Sequence, residues 1–253
     1  MKTYPGGKKK AFQITFDDGV LQDVRFVQLL NKYGIKGTFN LNSQLMQQEF
    51  SWVHPNGMEV RRLSPQAAQG LYDGHEIASH TLTHPYMQNL SDSELQRQMK
   101  ADKDNLEQMF GVQVRGFAVP FDYYDDRIAR CAKDCGFAYA RKSECSGSFT
   151  PGTDPYHWQT GIYHIDPNLT NFVADFLNTE EELALCQIVG HSYDLDAENL
   201  WGNDGIYLCR PVCPQRHLVL HPRRTDRLFV SVGDDAHIVP THNPVGADAH
   251  IRP

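Results

Sequence analysis

The sequence lacks any apolar run long enough to cross a bilayer, and it lacks the apolar segment of a secretory signal peptide after its basic first ten residues. We therefore expect a cytoplasmic protein without a membrane contact. An excess of basic residues is also missing, since 24 Lys and Arg stand against 31 Asp and Glu for a net charge of −7. Nucleic acid is disfavoured as a partner, because proteins that bind it neutralise phosphates with Lys and Arg.

Cysteine is absent from the first 130 residues, and six cysteines follow. In a cytoplasmic protein they are expected as thiols, so the sequence predicts no disulfide framework. Cys131 and Cys135 are four residues apart on a predicted helix, and we interpret them as small core residues rather than as a metal-binding pair. The length of 253 residues fits one large domain or two small ones.

Predicted strands and helices alternate along the chain. Apolar runs predict strands at residues 11–16, 35–41, 75–79, 114–119, 137–141, 160–165 and 183–190. Helical spacing and end signals predict helices at residues 20–33, 64–73, 91–110, 125–135 and 169–177. The helix at Ser91 begins with the capping box Ser91-Asp-Ser-Glu94, and Gly111 follows its end. This alternation predicts an α/β fold with a mostly parallel sheet covered by helices.

Residues with chemical potential follow four of the predicted strands. They are Asp17 and Asp18, then His80, then Pro120 and Phe121, and finally His191. In parallel barrels the functional site lies at the carboxyl-terminal ends of the strands. We therefore expect these side chains to share one edge of the sheet.

Two short patterns predict a cation site when they are taken together. His80 and His84 are four residues apart, so a helical turn or a curved loop would direct both imidazoles at one ion. Asp17 and Asp18 end a strand with diverging side chains, so one can complete a two-histidine, one-carboxylate site while the other accepts a proton. Three protein ligands leave one position open, which is typical of a catalytic site. Separately, the histidines are compatible with an ordinary surface and Asp17-Asp18-Gly19 with an acidic turn.

His191 ends another buried strand. A departing amine needs a proton, and histidine titrates in the range that this task requires. Considered alone, His191 is also compatible with a structural histidine.

Three motifs resemble those of the polysaccharide deacetylases of the NodB-homology type, carbohydrate esterase family 4. They are Thr15-Phe-Asp-Asp-Gly19, Ser79-His-Thr-Leu-Thr-His84 and Val189-Gly-His191, and the resemblance covers about residues 10–201. It implies a distorted (β/α) barrel with fewer than eight strands. It also implies one divalent cation, often zinc and sometimes another ion such as cobalt.

The resemblance implies a role for each matching residue. Asp17 would be the catalytic base and His191 the general acid, while the metal ligands would be Asp18, His80 and His84. The segment Gly116-Phe-Ala-Val-Pro-Phe121 resembles the third motif of the family, in which the residue after the proline offers its backbone N–H to the oxyanion. Phe121 would supply that N–H. Pro120 would contact the substrate.

The chain also departs from the family pattern. The third motif usually carries an arginine that orients the base, and Ala118 stands in its place, so another residue must hold Asp17. Arg115 is near in sequence, without evidence that it substitutes. The fourth motif is altered, with His157 where an aspartate is expected, and Trp158 either lines the acyl pocket or belongs to the core.

Two further expectations concern His191 and the end of the chain. Either Asp194 or Asp196 is expected to orient His191. We divide the chain into an extension (1–9), a deacetylase domain (10–202) and a divergent, weakly ordered tail (203–253). Residues 211–253 hold six of the 14 prolines and five of the 12 histidines, and His217 and His221 form their one compact pair. Residues 216–221 can be encoded so that the next frame reads Asp-Ile-Trp-Tyr-Cys, so a frameshift near residue 202 is a hypothesis that genomic DNA would test.

These observations predict a hydrolase that removes an acetyl group from an N-acetylated or O-acetylated sugar or glycan. A hydrolase of a small non-sugar amide or cyclic imide in the same superfamily is an alternative. A third possibility is an inactive relative that binds carbohydrate, favoured by Ala118 and opposed by the intact ligand and acid–base residues. The sequence predicts neither the natural substrate nor the oligomeric state.

Overall fold

The structure is a computed structural model that describes Tyr4, residues 7–150 and 152–201, and the backbone of residues 236–238. The strands are β1 Lys10–Asp17, β2 Gly37–Leu41, β3 Ser51–Val53, β4 Glu59–Arg61, β5 Glu76–Ser79, β6 Gly116–Ala118, β7 Tyr139–Cys145, β8 Trp158–Thr160, β9 Ile162–Tyr163, β10 Ala184–Gly190 and β11 Ala236–Ile238. The α-helices are α1 Asp23–Lys32, α2 Ser43–Gln47, α3 Pro65–Ala68, α4 Asp92–Phe110, α5 Asp126–Asp134, α6 Leu169–Asn178 and α7 Ser192–Ala197.

The main sheet forms a nearly closed barrel of parallel strands. Its order is β8-β7-β6-β5-β2-β1-β10-β9, and β11 pairs with the first residues of β1. Only Gly161 separates β8, which pairs with β7, from β9, which pairs with β10. This one bent segment therefore joins the two edges of the sheet. A Cβ at Gly161 would lie 2.5 Å from the carbonyl oxygen of Gln187, so a glycine is required at the bend. The predicted distorted (β/α) barrel is confirmed, but the expected number of strands was wrong, because the main sheet has eight strands in this order and not fewer.

The central strands are buried on both faces, as expected for a parallel sheet that helices cover. All seven residues of β10 and all five residues of β2 are buried. The helix ends follow local sequence signals. Ser91 Oγ accepts the N–H of Glu94, and Gly111 adopts φ +67° after the last turn of α4. Asp125 caps α5 by accepting the N–H of Ile128.

The beginning of α1 differs from its prediction. The helix starts at Asp23 rather than at residue 20, because the preceding turn is bonded to the end of β4, where the N–H of Leu21 donates to the carbonyl of Arg61. On this helix Val24 is 38% exposed, whereas Phe26 is buried. The β3–β4 hairpin and the short helices α2 and α7 were missed, because segments of three to six residues carry too little periodicity.

The cysteines in the described residues are free thiols. Cys131 and Cys135 pack with the hydrophobic core, which agrees with their interpretation as core residues. In the part of the chain that the structure describes, no helix has the length and apolar character needed to cross a membrane. The tail, with Cys209, Cys213, His217 and His221, lies outside the described residues apart from the backbone of β11, so its predicted disorder and the domain boundaries stay predictions.

A buried carboxyl group joins three elements behind the carboxyl-terminal edge. Asp23 accepts hydrogen bonds from Ser192 Oγ at 2.5 Å and from Tyr72 Oη at 2.7 Å. Burial raises the pKa of Asp23 from 3.8 to about 7. Between these two pH values the folded protein keeps a proton that the unfolded chain releases, so this group makes the protein less stable as the pH rises.

We therefore expect the Asp23→Asn substitution to remove part of the loss of stability between pH 5 and pH 8. The contribution of Asp23 is at most about 1.4 kcal/mol per pH unit, because one proton is involved. Urea unfolding at both pH values measures the difference for wild type and variant. An equal difference in the two proteins would show that Asp23 does not titrate in this range.

Candidate active site

Strand ends bring the predicted site residues to one edge of the barrel. Asp17 and Asp18 end β1, His80 follows β5 and His191 follows β10. β1 pairs directly with β10, and β2 alone separates β1 from β5. Their carboxyl-terminal ends therefore deliver carboxylates and imidazoles to the same place.

Unusual backbone angles are concentrated at this edge. Asp18, Thr81, His84 and Phe121 adopt positive φ values of 89°, 69°, 53° and 58°. Two of these residues lie in the segment from His80 to His84, which is therefore a tight loop rather than a helical turn. Non-glycine residues in such conformations cost free energy and are concentrated at functional sites.

Asp18, His80 and His84 converge as the sequence predicts. Asp18 Oδ1 lies 3.9 Å from His80 Nε2 and 3.7 Å from His84 Nε2. One ligand atom from each of the three residues lies within 4.8 Å of the other two. His80 Nδ1 donates to the carbonyl of Ala118 at 2.8 Å, which leaves the lone pair of Nε2 directed at Asp18.

The donor set fits a divalent cation. Within the described residues, His80 Nε2 is buried without a hydrogen-bond partner, and Asp18 Oδ1 is buried with the Arg62 guanidinium as its ion-pair partner. Buried polar atoms normally have a hydrogen-bond partner, and a cation held by one carboxylate and two imidazoles would give His80 Nε2 the partner that it lacks. Burial lowers the pKa of His80 to about 3 and also lowers that of His84, so both imidazoles are in the neutral form that binds metals.

Arg62 is a buried neighbour of this cluster that the sequence did not reveal. Its Nη1 donates to the backbone carbonyl of Asp18 and lies 2.8 Å from Asp18 Oδ1. Burial raises the pKa of Asp18, but the Arg62 guanidinium and the neighbouring histidines together lower it more, and the carboxyl group stays ionised. Arg62 immediately follows β4. The β3–β4 hairpin, which the sequence did not predict, therefore places the Arg62 guanidinium at the site.

Asp17 is held by a different arginine from the one that the family motif predicts. Arg141 Nη2 forms an ion pair with Asp17 Oδ1, and Asn40 Nδ2 donates to the same oxygen at 2.7 Å. Arg141 on β7 is the register partner of Ala118 on β6, so the guanidinium comes from the neighbouring strand. Arg115, the candidate near in sequence, is not among the described residues that bond to Asp17. Burial raises the pKa of Asp17 and the Arg141 guanidinium lowers it, with a net decrease.

His191 faces the other carboxylate oxygen of Asp18. His191 Nε2 lies 3.8 Å from Asp18 Oδ2, and His191 Nδ1 lies 3.3 Å from Asp194 Oδ2 and at hydrogen-bond distance from the Tyr163 hydroxyl. The Tyr163 hydroxyl donates to Asp194 at 2.7 Å. Burial lowers the pKa of His191, but Asp194 and the carboxylates of Asp18 and Asp17 raise it more. These carboxylates therefore favour the protonated form of His191.

The surroundings of His191 show which aspartate orients it and why a glycine precedes it. Of the two aspartates considered, Asp194 orients His191, whereas Asp196 accepts the indole N–H of Trp201. The glycine before His191 is required because a Cβ at Gly190 would overlap the ring of His164.

Phe121 and Pro120 lie at the end of β6. Among the described residues, no acceptor meets the backbone N–H of Phe121, so this donor is available to a ligand. The Phe121 ring lies 4.5 Å from the His84 ring and stacks on Tyr86 at 4.0 Å. Pro120 is buried, and its predicted contact with the substrate stays a prediction.

Trp158 does not join the cluster, so of the two alternatives for its side chain the structure supports the core rather than the acyl pocket. It is the first residue of β8, and its side chain packs against the core cluster of Tyr4, Ala11 and Leu185. Ala11 is six residues before Asp17 on β1, roughly 20 Å away along the strand. Nearby, His157 pairs with Asp154 at 2.7 Å in a short surface turn. At His157 and Trp158, the residues of the altered fourth motif therefore make contacts within the fold and do not reach the Asp18 cluster.

The sequence of this chain is similar to those of known proteins. A family model described as polysaccharide deacetylase matches residues 5–140. A peptidoglycan-N-acetylglucosamine deacetylase of Bacillus cereus is 29% identical over 131 residues, which are 51% of this chain and 54% of that protein. An uncharacterized protein of Bacillus subtilis, YlxY, is 29% identical over 96 residues, or 38% of this chain and 26% of that protein. The chain thus spans about half, or less, of the curated relatives that it matches.

Solved structures agree on the fold. A pseudoenzyme of carbohydrate esterase family 4 from Bacillus anthracis superposes with a TM-score of 0.54 at 18% identity, covering 83% of this chain and 62% of its own. A family 4 carbohydrate esterase from Streptomyces lividans, in complex with acetate, gives a TM-score of 0.51 at 14% identity, covering 81% and 88%. Because the family model matches more than half of the 253 residues, this chain belongs to the polysaccharide deacetylase family.

Proposed function

We propose that the protein hydrolyses the acetyl group of an N-acetylated sugar or glycan, and an O-acetyl ester would suit the same residues. The observation that carries this proposal is the arrangement of histidines around the two carboxylate oxygens of Asp18. His80 and His84 approach Asp18 Oδ1, His191 approaches Oδ2, and Asp17 stands beside them in an ion pair of its own. A ligand set, a base and an acid therefore meet at one carboxylate.

Asp17 is suited to act as the general base through Oδ2. Arg141 and Asn40 hold Oδ1, and Oδ2 lies 4.0 Å from His80 Nε2, on the side of the ligand cluster. A divalent cation held by Asp18, His80 and His84 would polarise the acyl carbonyl and lower the pKa of water. The lowered pKa of Asp17 keeps it ionised at neutral pH, ready to accept a proton from the attacking water.

His191 is suited to act as the general acid. Its Nδ1 is fixed by Tyr163 and Asp194, so the proton on Nε2 is directed at the space beside Asp18. An amine leaves readily only when it is protonated, and the raised pKa of His191 favours the form that carries the proton to be donated. The free N–H of Phe121 would stabilise the negative charge that develops on the acyl oxygen.

Two alternative functions make different predictions from this proposal. A hydrolase of a small amide or cyclic imide would use the same residues on a smaller substrate. An inactive carbohydrate-binding relative would resemble the family 4 pseudoenzyme of Bacillus anthracis, which shares the fold. The presence of all three proposed ligands, with Asp17 paired to Arg141 and His191 paired to Asp194, favours an enzyme. A cytoplasmic location, which fractionation can test, would favour soluble oligosaccharides as substrates over an intact cell wall.

Acetate release tests the proposal directly. The protein, stripped of metal with a chelator, is assayed on N-acetylglucosamine, its β-1,4-linked oligomers, an acetylated xylan oligomer and a cyclic imide, with and without zinc or cobalt. We expect acetate from the sugars only when a cation is added, because the three ligands alone do not polarise a carbonyl. Three results would overturn the proposal. They are equal turnover with and without the chelator, hydrolysis of the imide alone, and no turnover in protein that binds zinc.

A further inference from the structure

A row of aromatic side chains leads away from His191 to the β3–β4 hairpin. The ring of Tyr193 stacks on His191 with a centroid distance of 4.8 Å, and Trp52 meets Tyr193 edge-on at 5.5 Å. Phe50 lies 6.3 Å from Trp52 and is 45% exposed. We name Phe50, Trp52 and Tyr193 the aromatic platform. The acid–base chemistry above uses none of these three side chains.

The hairpin is tied to the site by both backbone and side-chain contacts. The Arg62 guanidinium lies over the Trp52 ring at 5.0 Å and pairs with Asp18 at 2.8 Å. The N–H of Leu63 donates to the carbonyl of Gly19, directly after Asp18. At the hairpin tip, Asn56 Nδ2 donates to the carbonyl of Ala197 at the end of α7 at 3.2 Å. The platform is therefore held in a fixed position relative to the proposed reaction.

A second aromatic surface lies on another side of Asp18. Phe121 and Tyr86 stack on each other at 4.0 Å and are 39% and 55% exposed. They reach the cluster through His84, which faces Asp18 Oδ1, whereas the platform reaches it through His191, which faces Oδ2. The reacting centre thus lies between two aromatic surfaces.

The chemistry of the platform selects its ligand. Exposed aromatic rings with polar neighbours are typical of ligand-binding grooves. His54 lies 5.9 Å from Tyr193 and supplies a polar group at its edge. A pyranose ring presents an apolar C–H face to a flat aromatic ring and directs its hydroxyl groups outward to polar neighbours. A monosaccharide that places its acetamide beside His191 would leave Trp52 and Phe50 uncovered, whereas the next ring of a glycan would cover them.

We infer that the aromatic platform binds a second pyranose ring of the same glycan that presents the acetyl group, so that the substrate is an oligomer rather than a monosaccharide. This inference rests on the proposed function. The platform supplies binding energy remote from the reacting atoms, which an enzyme can use to orient the acyl group.

The test compares substrates of two lengths. For wild type, we expect kcat/KM for acetate release to be at least roughly tenfold higher with the β-1,4-linked N-acetylglucosamine hexamer than with the monomer. In Trp52→Ala, this ratio should fall by roughly tenfold, equivalent to about 1.4 kcal/mol. Trp52→Phe should keep most of it, since an aromatic face remains. If the substitution also disturbs Arg62, kcat/KM should fall equally for both substrates, so the hexamer-to-monomer ratio would not change for that reason.

Val53→Ala is the matched control on the same hairpin. Val53 is 70% exposed, and its side chain points to the opposite face of the strand from that of Trp52, so its ratio should equal that of wild type. An unchanged ratio in Trp52→Ala, or a wild-type enzyme that uses hexamer and monomer equally well, would overturn the inference.

Calorimetry with the glucosamine hexamer separates this inference from the proposed function, because it needs no turnover. Binding that is lost in Trp52→Ala and kept in Val53→Ala would support the platform even if no acetate were released. In the opposite case, wild type releases acetate from the N-acetylglucosamine hexamer while Trp52→Ala and wild type bind the glucosamine hexamer equally well. That result would retain the proposed function and reject the platform.

Discussion

The Asp17→Asn variant is expected to lose turnover by a factor of roughly 10² to 10⁴, the range typical of a lost general base, while keeping its divalent cation. Asp17 Oδ1 is bonded to Arg141 and Asn40, and Asp17 is outside the Asp18, His80 and His84 ligand set. Asparagine has the same shape as aspartate and keeps an oxygen for Arg141, so the local structure should persist. Its amide cannot accept a proton at neutral pH, and the attacking water therefore lacks a base.

His84→Ala provides the contrasting variant. His84 supplies one of three ligands, and its loss should remove both the cation and the turnover. Zinc content after gel filtration and acetate release from the same samples give the two readouts. A variant Asp17→Asn with wild-type turnover would exclude Asp17 as the base, and a variant that lost its zinc would identify Asp17 as a ligand.

The parts of this site that follow strands could be predicted from the sequence. Asp18, His80 and His191 come at the ends of β1, β5 and β10, and parallel strands bring their carboxyl ends to one edge by necessity. The chain order of strands and helices was sufficient for this step. No side-chain geometry was needed, since the residue types themselves indicated ligands and a proton carrier.

The supporting residues could not be predicted in this way. Arg62, Arg141 and Tyr163 act through side chains that cross from one element to another, and no local pattern in sequence marks such contacts. Arg141 reaches Asp17 only because β7 pairs with β6 in a register that places it beside Ala118. The sequence left two alternatives for Trp158 for a related reason, because only the fold shows that this first residue of β8 packs against Tyr4, Ala11 and Leu185.

Tyr163 shows what the bent segment between β8 and β9 contributes. The break at Gly161 allows β9 to pair with β10, with Tyr163 opposite Val189. The Tyr163 hydroxyl thereby reaches both His191 Nδ1 and Asp194. A sequence pattern contains neither the break nor this register, so closure of the barrel determines how the proposed acid is oriented.

Substituting Arg141 by alanine should lower kcat on the order of 100-fold, the scale expected when a catalytic group loses its orientation. The guanidinium is 2% exposed and pairs with the buried Asp17. Its removal leaves the opposing influence of burial, so the pKa of Asp17 should rise. Since the base acts only when ionised, the acidic limb of the kcat/KM profile should move to higher pH. Arg141→Lys keeps a cation and should move it less.

Loss of a partner from a buried ion pair typically costs about 3–5 kcal/mol of stability, so Arg141→Ala needs a control that restores the charge. The fold offers one, because Ala118 is the buried register partner of Arg141. The double variant Ala118→Arg, Arg141→Ala moves the guanidinium to the position of the family's third motif, into the space that Arg141 vacates. It should recover much of the lost kcat and return the acidic limb towards its wild-type pH. Wild-type kcat and pH dependence in Arg141→Ala would show instead that Asn40 alone suffices to hold Asp17.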